Sequence, residues 1–164
     1  MKVLVTGATG FIGEQYVQHL TAKRPDVKVF FCGRNLERGS RLAAATGAHY
    51  FRGDLQDEPY VKLICKDMDV IVHCAGKTGL WGDYLDYYHA NVVTTENLLA
   101  AAPHTGVQRF VNLGTPSVYF DFNDHLNVIC IGELVAEVNQ VLFSFKAKAV
   151  HSADDISILK PEKI

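Results

Sequence analysis

Residues Lys2-Val3-Leu4-Val5-Thr6-Gly7-Ala8-Thr9-Gly10-Phe11-Ile12-Gly13 decide the fold. An apolar, β-branched run passes directly into three glycines spaced three apart, and these open a stretch where Ile12, Tyr16, Val17 and Leu20 recur at helical spacing. A strand, a glycine turn and an amphipathic helix in that order make a phosphate-binding turn. Gly7 permits the tight turn, Gly10 lets the backbone approach a pyrophosphate, and Gly13 lets the helix pack close to the strand. With Thr9 inside the loop, the free N–H groups of Phe11, Ile12 and Gly13 and the positive end of the helix dipole face the phosphates.

Outward from this turn, short β-branched runs alternate with longer helical ones. Strands are expected at Lys2–Thr6, Val27–Cys32, His49–Arg52, Asp69–Cys74, Val107–Leu113 and Ile156–Leu159. Leu85, Tyr88, Val92 and Leu99 mark a second sheet-packing helix, and Leu134, Val138, Val141, Leu142, Phe145 and Ala149 mark a crossover helix from about Glu133 to Ala149. Strands alternating with helices imply an α/β fold with a doubly wound parallel sheet, the NAD(P)-binding Rossmann type, as one domain over residues 1–164.

Composition narrows the partners. The chain of 164 residues is 48% apolar, and 16 basic against 18 acidic residues leave a net charge of −2. No run of like charges offers a footprint for nucleic acid or an anionic membrane, and no stretch is long and apolar enough to span a bilayer. Cys32, Cys65, Cys74 and Cys130 form no C-x-x-C pair and no zinc spacing, so no metal is expected and the thiols read as reduced and cytoplasmic. The N-terminal apolar run stops at Gly7, too soon for a signal peptide.

The motif T-G-A-T-G-F-I-G resembles the cofactor loop of the extended short-chain dehydrogenase/reductase superfamily, the NAD(P)-dependent epimerase/dehydratase group. Gly53-Asp54-Leu55 resembles the family's G-D-L, and His73-Cys74-Ala75-Gly76 is similar to its H-x-A-A/G turn. Asn91-Val92-Val93-Thr94-Thr95-Glu96-Asn97-Leu98-Leu99 resembles N-V-x-G-T-x-N-L-L, with Thr94 in place of glycine. Phe110 to Tyr119 looks like the fifth strand and its S-[ST]-x-x-V-Y ending, and Lys77 to Tyr88 is similar to the 3β-hydroxysteroid dehydrogenase-like branch. The resemblance implies a dinucleotide across the carboxyl ends of the strands, with Asp54 and Leu55 at the adenine, Cys74, Ala75 and Gly76 beneath the cofactor, and Asn91 beside it.

Each residue also has a plainer reading. Asp54 caps the following turn as readily as it meets adenine. His73 ends a buried strand and reads as a satisfied core histidine. Trp81, Tyr84, Tyr87 and Tyr88 would ordinarily pack at a helix start.

Charge selects the cofactor. An NAD site places a carboxylate at the end of the second strand to hold the ribose 2′-hydroxyl. Here the sequence is Cys32-Gly33-Arg34-Asn35. Without a carboxylate, and with Arg34 helped by Arg38 offering a guanidinium fork to a 2′-phosphate, NADP is expected in preference to NAD. The alternative is a solvated arginine beside a helix cap at Asn35.

The family's catalysis uses a Ser or Thr that orients the substrate oxygen, a position Thr115 matches, and a Tyr in a Y-x-x-x-K pair that transfers a proton. None of the seven tyrosines has Lys four residues later, and Lys148 would pair with Ser144. Residues 128–152 are atypical of the family, and the substrate lobe is expected to be absent. Two functions follow as expectations: an NAD(P)-dependent oxidoreductase of a hydroxy/keto small-molecule substrate with its catalytic part incomplete, or a non-catalytic NADP-binding module or truncated gene product.

Overall fold

Strands that alternate with helices on both sides bury both faces at the centre of the sheet, as Val70–His73 does throughout. The computed structural model describes residues 1–79 and 81–114, together with the backbone of 133–137. Strands β1 (Lys2–Thr6), β2 (Lys28–Gly33), β3 (His49–Arg52), β4 (Val70–His73) and β5 (Arg109–Leu113) run parallel, and β6 (Glu133–Glu137) runs antiparallel to β5. The order is β3-β2-β1-β4-β5-β6. The chain steps outward from β1 to β3, then returns to the other side of β1 for β4. The crevice where the direction reverses, between the carboxyl ends of β1 and β4, is where ligands bind in open sheets of this kind.

Alternation along β1 divides the core. Val3 and Val5 face α1 (Phe11–Lys23) and α2 (Leu36–Thr46), packing with Val17, Phe31 and Leu42. Leu4 faces the other way, toward Ile64 of α3 (Glu58–Cys65) and Leu98 of the long helix before β5. That helix begins as α4 (Tyr84–Tyr88), widens to a π-helical turn at His89–Val93 and continues as α5 (Thr94–Thr105). The starts of α2 and α3 carry side-chain caps. Asn35 Oδ1 accepts from the Arg38 N–H at 2.9 Å, and Asp57 accepts from the Tyr60 N–H.

Two expectations are corrected. The segment Glu133–Glu137, expected as the start of a crossover helix from Glu133 to Ala149, is a strand. A five-residue run with apolar Leu134, Val135 and Ala136 fits either period, and β5 presents an open edge whose N–H and C=O groups the antiparallel ladder satisfies. The remainder of that helix and the strand expected at Ile156–Leu159 lie outside the described residues. The stripe Leu85, Tyr88, Val92 does not pack on the sheet. Leu85 is 58% exposed, and the covered face is formed by Thr94, Leu98, Ala101 and Ala102. The π-turn accounts for this, because one wider turn rotates the residues before it away from the face that follows.

Candidate functional site

The carboxyl ends of β1 to β4 enclose a cleft of about 750 Å³. Its floor is the first turn. Gly7 has φ +66°, and a Cβ there would lie 2.5 Å from the Ala75 Cα, so both its conformation and its closeness to the β4 turn require glycine. The Gly10 N–H donates to the Gly7 carbonyl at 2.9 Å, and the Ala8 N–H donates to the Cys32 carbonyl at 3.1 Å, tying the turn to β2. A Cβ on Gly13 would lie 2.6 Å from the Gly7 oxygen, so the helix packs against the turn as the spacing predicts.

Gly10 differs from the other two. A Cβ there would meet only the Gly7 oxygen, at 3.1 Å, and the residue lines the cleft. It is also the N-cap of α1 and supplies no side-chain oxygen, so the first helical N–H groups, those of Phe11, Ile12 and Gly13, follow a cleft-lining residue and have no side-chain cap. An open cradle beside uncapped helical donors fits a pyrophosphate. The side chains of Phe11 and Ile12 point to solvent, so only their backbone is suited to that role.

At the second and third strands the expected residues come together in part. Arg34 and Asp54 both line the cleft, with Arg34 Nη1 3.7 Å from Asp54 Oδ2 and the Arg34 side chain 75% exposed. Asp54 Oδ1 also accepts from the Gln56 N–H at 3.0 Å, so the capping role is present and leaves the second oxygen at the cleft. Arg38 is not brought to the cleft lining. Its guanidinium donates to Glu14 Oε2 at 2.9 Å, a partner 24 residues away that no local pattern would reveal. Leu55 is buried, and its carbonyl accepts from Asn97 Nδ2 at 2.9 Å. Asn97 is a positioning residue that sequence reasoning missed, although it lies inside a quoted motif. Replacing it with Ala should lower stability by about 1 kcal/mol, read from the urea midpoint, because one half-buried hydrogen bond is lost.

Around the fourth strand, Cys74, Ala75 and Gly76 line the cleft as expected, followed by Lys77 and Thr78. Asn91 stands behind them. Its Oδ1 accepts from the Lys77 N–H at 2.7 Å and its Nδ2 donates to the Lys77 carbonyl at 3.0 Å, so it holds the turn rather than lining the cleft. Asp86 and His89 close this end, with Lys77 Nζ 2.7 Å from Asp86 Oδ2 and over the Tyr87 ring. Tyr87 does the packing expected of the aromatic group, against Gly79 and Gly82, whereas Trp81 is 91% exposed and Tyr84 is exposed as well. Thr115, the candidate catalytic residue, lies outside the described residues.

Ionisation in the cleft follows burial. Burial pushes the Cys32 thiol up to about 12 and Cys74 up to about 11, so neither is a nucleophile near neutral pH. Burial also pushes His73 down to about 4, keeping it neutral. Among the described residues, no cluster of three or more His, Cys, Asp or Glu side chains is placed to hold a metal ion. Among what lines the site, a glycine turn, a helix N-terminus and the exposed Arg34 are suited to holding a phosphorylated ligand.

A switch-point cleft with a glycine turn and an uncapped helix defines a Rossmann-type dinucleotide-binding protein. Residues 3–129 match the NAD dependent epimerase/dehydratase family, and the chain belongs to it. Its relatives include reductases, epimerases and dehydratases. It is 34% identical over 128 residues to a 2-alkyl-3-oxoalkanoate reductase of Stenotrophomonas maltophilia, covering 72% of this chain and 34% of that protein. It is 31% identical over 124 residues to a UDP-glucose 4-epimerase of Streptomyces lividans, covering 72% of this chain and 37% of that protein. A solved UDP-glucuronic acid 4-epimerase of Bacillus cereus, in complex with UDP-glucuronic acid and NAD, superposes with a TM-score of 0.66 at 27% identity, over 77% of this chain and 44% of that one. The chain thus spans about a third of the length of the curated relatives it matches. Among the described residues no helix is long and apolar enough to cross a membrane.

Proposed function

We propose that this chain is the dinucleotide-binding part of an NADP-dependent oxidoreductase acting on a hydroxy/keto substrate, working in the cytoplasm. The observation that carries the binding role is Gly10, whose missing side chain leaves an open cradle beside uncapped donors of α1. Gly7, Thr9, Gly10 and the N–H groups of Phe11 to Gly13 would hold the pyrophosphate, Asp54 and Leu55 the adenine side, and Cys74, Ala75 and Gly76 the floor beneath the ring. When bound, the nicotinamide supplies or accepts a hydride. Thr115 is the residue proposed to orient the substrate oxygen. The reductases of 2-alkyl-3-oxoalkanoates among the relatives support a keto substrate.

The preference for NADP rests on Arg34, exposed at the cleft, and on the absence of any carboxylate in Cys32-Gly33-Arg34-Asn35. Glu14 engages Arg38, so Arg34 carries this preference without it. A charge-assisted contact with a 2′-phosphate predicts NADPH binding about 10-fold tighter than NADH, and an Arg34→Ala variant that loses most of that difference while leaving NADH unchanged. Calorimetric titration of both cofactors tests it. Equal affinities in the unmodified chain would refute the NADP assignment, and binding of neither would refute the site.

A second reading, a binding module without turnover, is favoured by one feature of the sequence: no tyrosine is followed by lysine four residues later. Assay of NADPH oxidation with aliphatic and steroid ketones separates the two readings.

A further inference from the structure

His73 ends β4 with 1% of its surface exposed, and both ring nitrogens meet hydroxyls. Thr6 Oγ1 is 2.6 Å from Nδ1, and Thr95 Oγ1 is 3.0 Å from Nε2. Counting protons fixes the directions. The Thr95 hydroxyl has one hydrogen and gives it to the Asn91 carbonyl at 2.7 Å, so toward His73 its oxygen only accepts. The ring proton is therefore on Nε2, and Nδ1 accepts from the Thr6 hydroxyl. Donation runs one way, from Thr6 to His73, from His73 to Thr95, and from Thr95 to the carbonyl of Asn91.

The two ends of this relay adjoin two walls of the cleft, at Gly7 and at Lys77. Thr6 leads directly into Gly7, and Asn91 clamps both backbone groups of Lys77. The accepting carbonyl lies in the π-turn His89–Val93, and the bond to it is the i to i−4 back-bond of a helical threonine, as Thr21, Thr46 and Thr105 make elsewhere. The groups facing the ring are Thr6 from β1, Phe110 from β5 with ring centroids 5.9 Å apart, and Thr95 from α5, none of them charged.

We propose that this relay makes His73 a positioning residue for dinucleotide binding, holding the Thr6-Gly7 turn and the Lys77 turn at a fixed separation across the cleft with the imidazole in its Nε2–H form. The role rests on the dinucleotide reading given above. The relay itself does not.

The experiment uses the full 164-residue chain labelled with ¹⁵N. Long-range ¹H–¹⁵N spectra report the tautomer of each histidine, and Nε2–H is expected for His73 at neutral pH. Thr95→Val keeps the shape of a half-buried side chain and removes the hydroxyl. It should release the single tautomer and raise the Kd for NADPH by about 3–10-fold, with both restored in Thr95→Ser. An Nδ1–H tautomer in the unmodified chain overturns the relay. Full NADPH affinity in Thr95→Val overturns the positioning role, since a merely structural bond would move the thermal midpoint and leave the Kd alone. If the unmodified chain binds neither NADPH nor NADH, the dinucleotide reading fails and the positioning role with it, and the tautomer spectrum still decides whether the relay exists.

Discussion

A Gly10→Leu variant folds and loses NADPH binding by about 100-fold or more, which is at least about 2.7 kcal/mol of binding free energy. Gly10 has φ −94° and ψ 174°, extended backbone that any residue adopts, and a Cβ there meets only one carbonyl oxygen, at 3.1 Å. The leucine side chain therefore projects into the cleft rather than into the core, where it takes the space proposed for the pyrophosphate. Leucine is a poor N-cap, but exchanging it for the side-chain-free glycine costs only about 1 kcal/mol, well within the stability of a domain. Gly7 offers the contrast. At φ +66° and with Ala75 2.5 Å from its Cβ position, even Gly7→Ala displaces the β4 turn and disturbs folding and binding together. Calorimetry with NADPH and far-ultraviolet circular dichroism separate the two cases. Unchanged affinity in Gly10→Leu would move the phosphates away from this turn.

The part of this molecule that sequence made legible is the part governed by neighbours in the chain. The order of strand, glycine turn and α1 is written in one stretch of chain, and the spacing of Gly7, Gly10 and Gly13 states it directly, although β2 and β4 then hold the turn in place. The cap at Asn35 is local in the same way. What stayed hidden depends on register between distant elements. Arg38 looks available to a phosphate until α2 packs beside α1 and places Glu14 against it. Leu85, Tyr88 and Val92 have the right period for a buried stripe, and period cannot say which way a π-turn will rotate it. Asp54 carried two readings in the sequence, and the structure shows the turn cap at one carboxylate oxygen and Arg34 3.7 Å from the other. Glu133–Glu137 is too short for its period to choose between helix and strand, and the open edge of β5 chose instead. His73 was legible as a satisfied core histidine, whereas its partners Thr6 and Thr95 become visible only once Thr6 and His73 are paired across the sheet.

The same histidine makes the fold sensitive to acid. Burial pushes His73 down to about 4 from its ordinary 6.5, and a gap of that size corresponds to about 3 kcal/mol. As the pH falls through 6.5 the unfolded chain takes up this proton, while the folded chain excludes it until about pH 4. Between those values the unfolded state binds more protons, so stability declines as the pH falls. The contribution is fully present above about pH 6.5 and is gone near pH 4. Asp26 and Asp86, held below the usual carboxylate range by Arg24 and Lys77, add their own smaller loss only at lower pH, and both are exposed. Urea midpoints measured from pH 7.5 to 4 in the unmodified chain and in His73→Gln should therefore diverge. Glutamine keeps a donor and an acceptor and does not titrate, so its curve should be flatter by most of that amount across this window. Should His73→Gln fail to fold, the imidazole proton signals of the unmodified chain give the answer directly. They should stay in the neutral position down to about pH 5, and a titration midpoint near 6.5 would show that water reaches the ring and that the buried hydrogen-bonded arrangement is wrong.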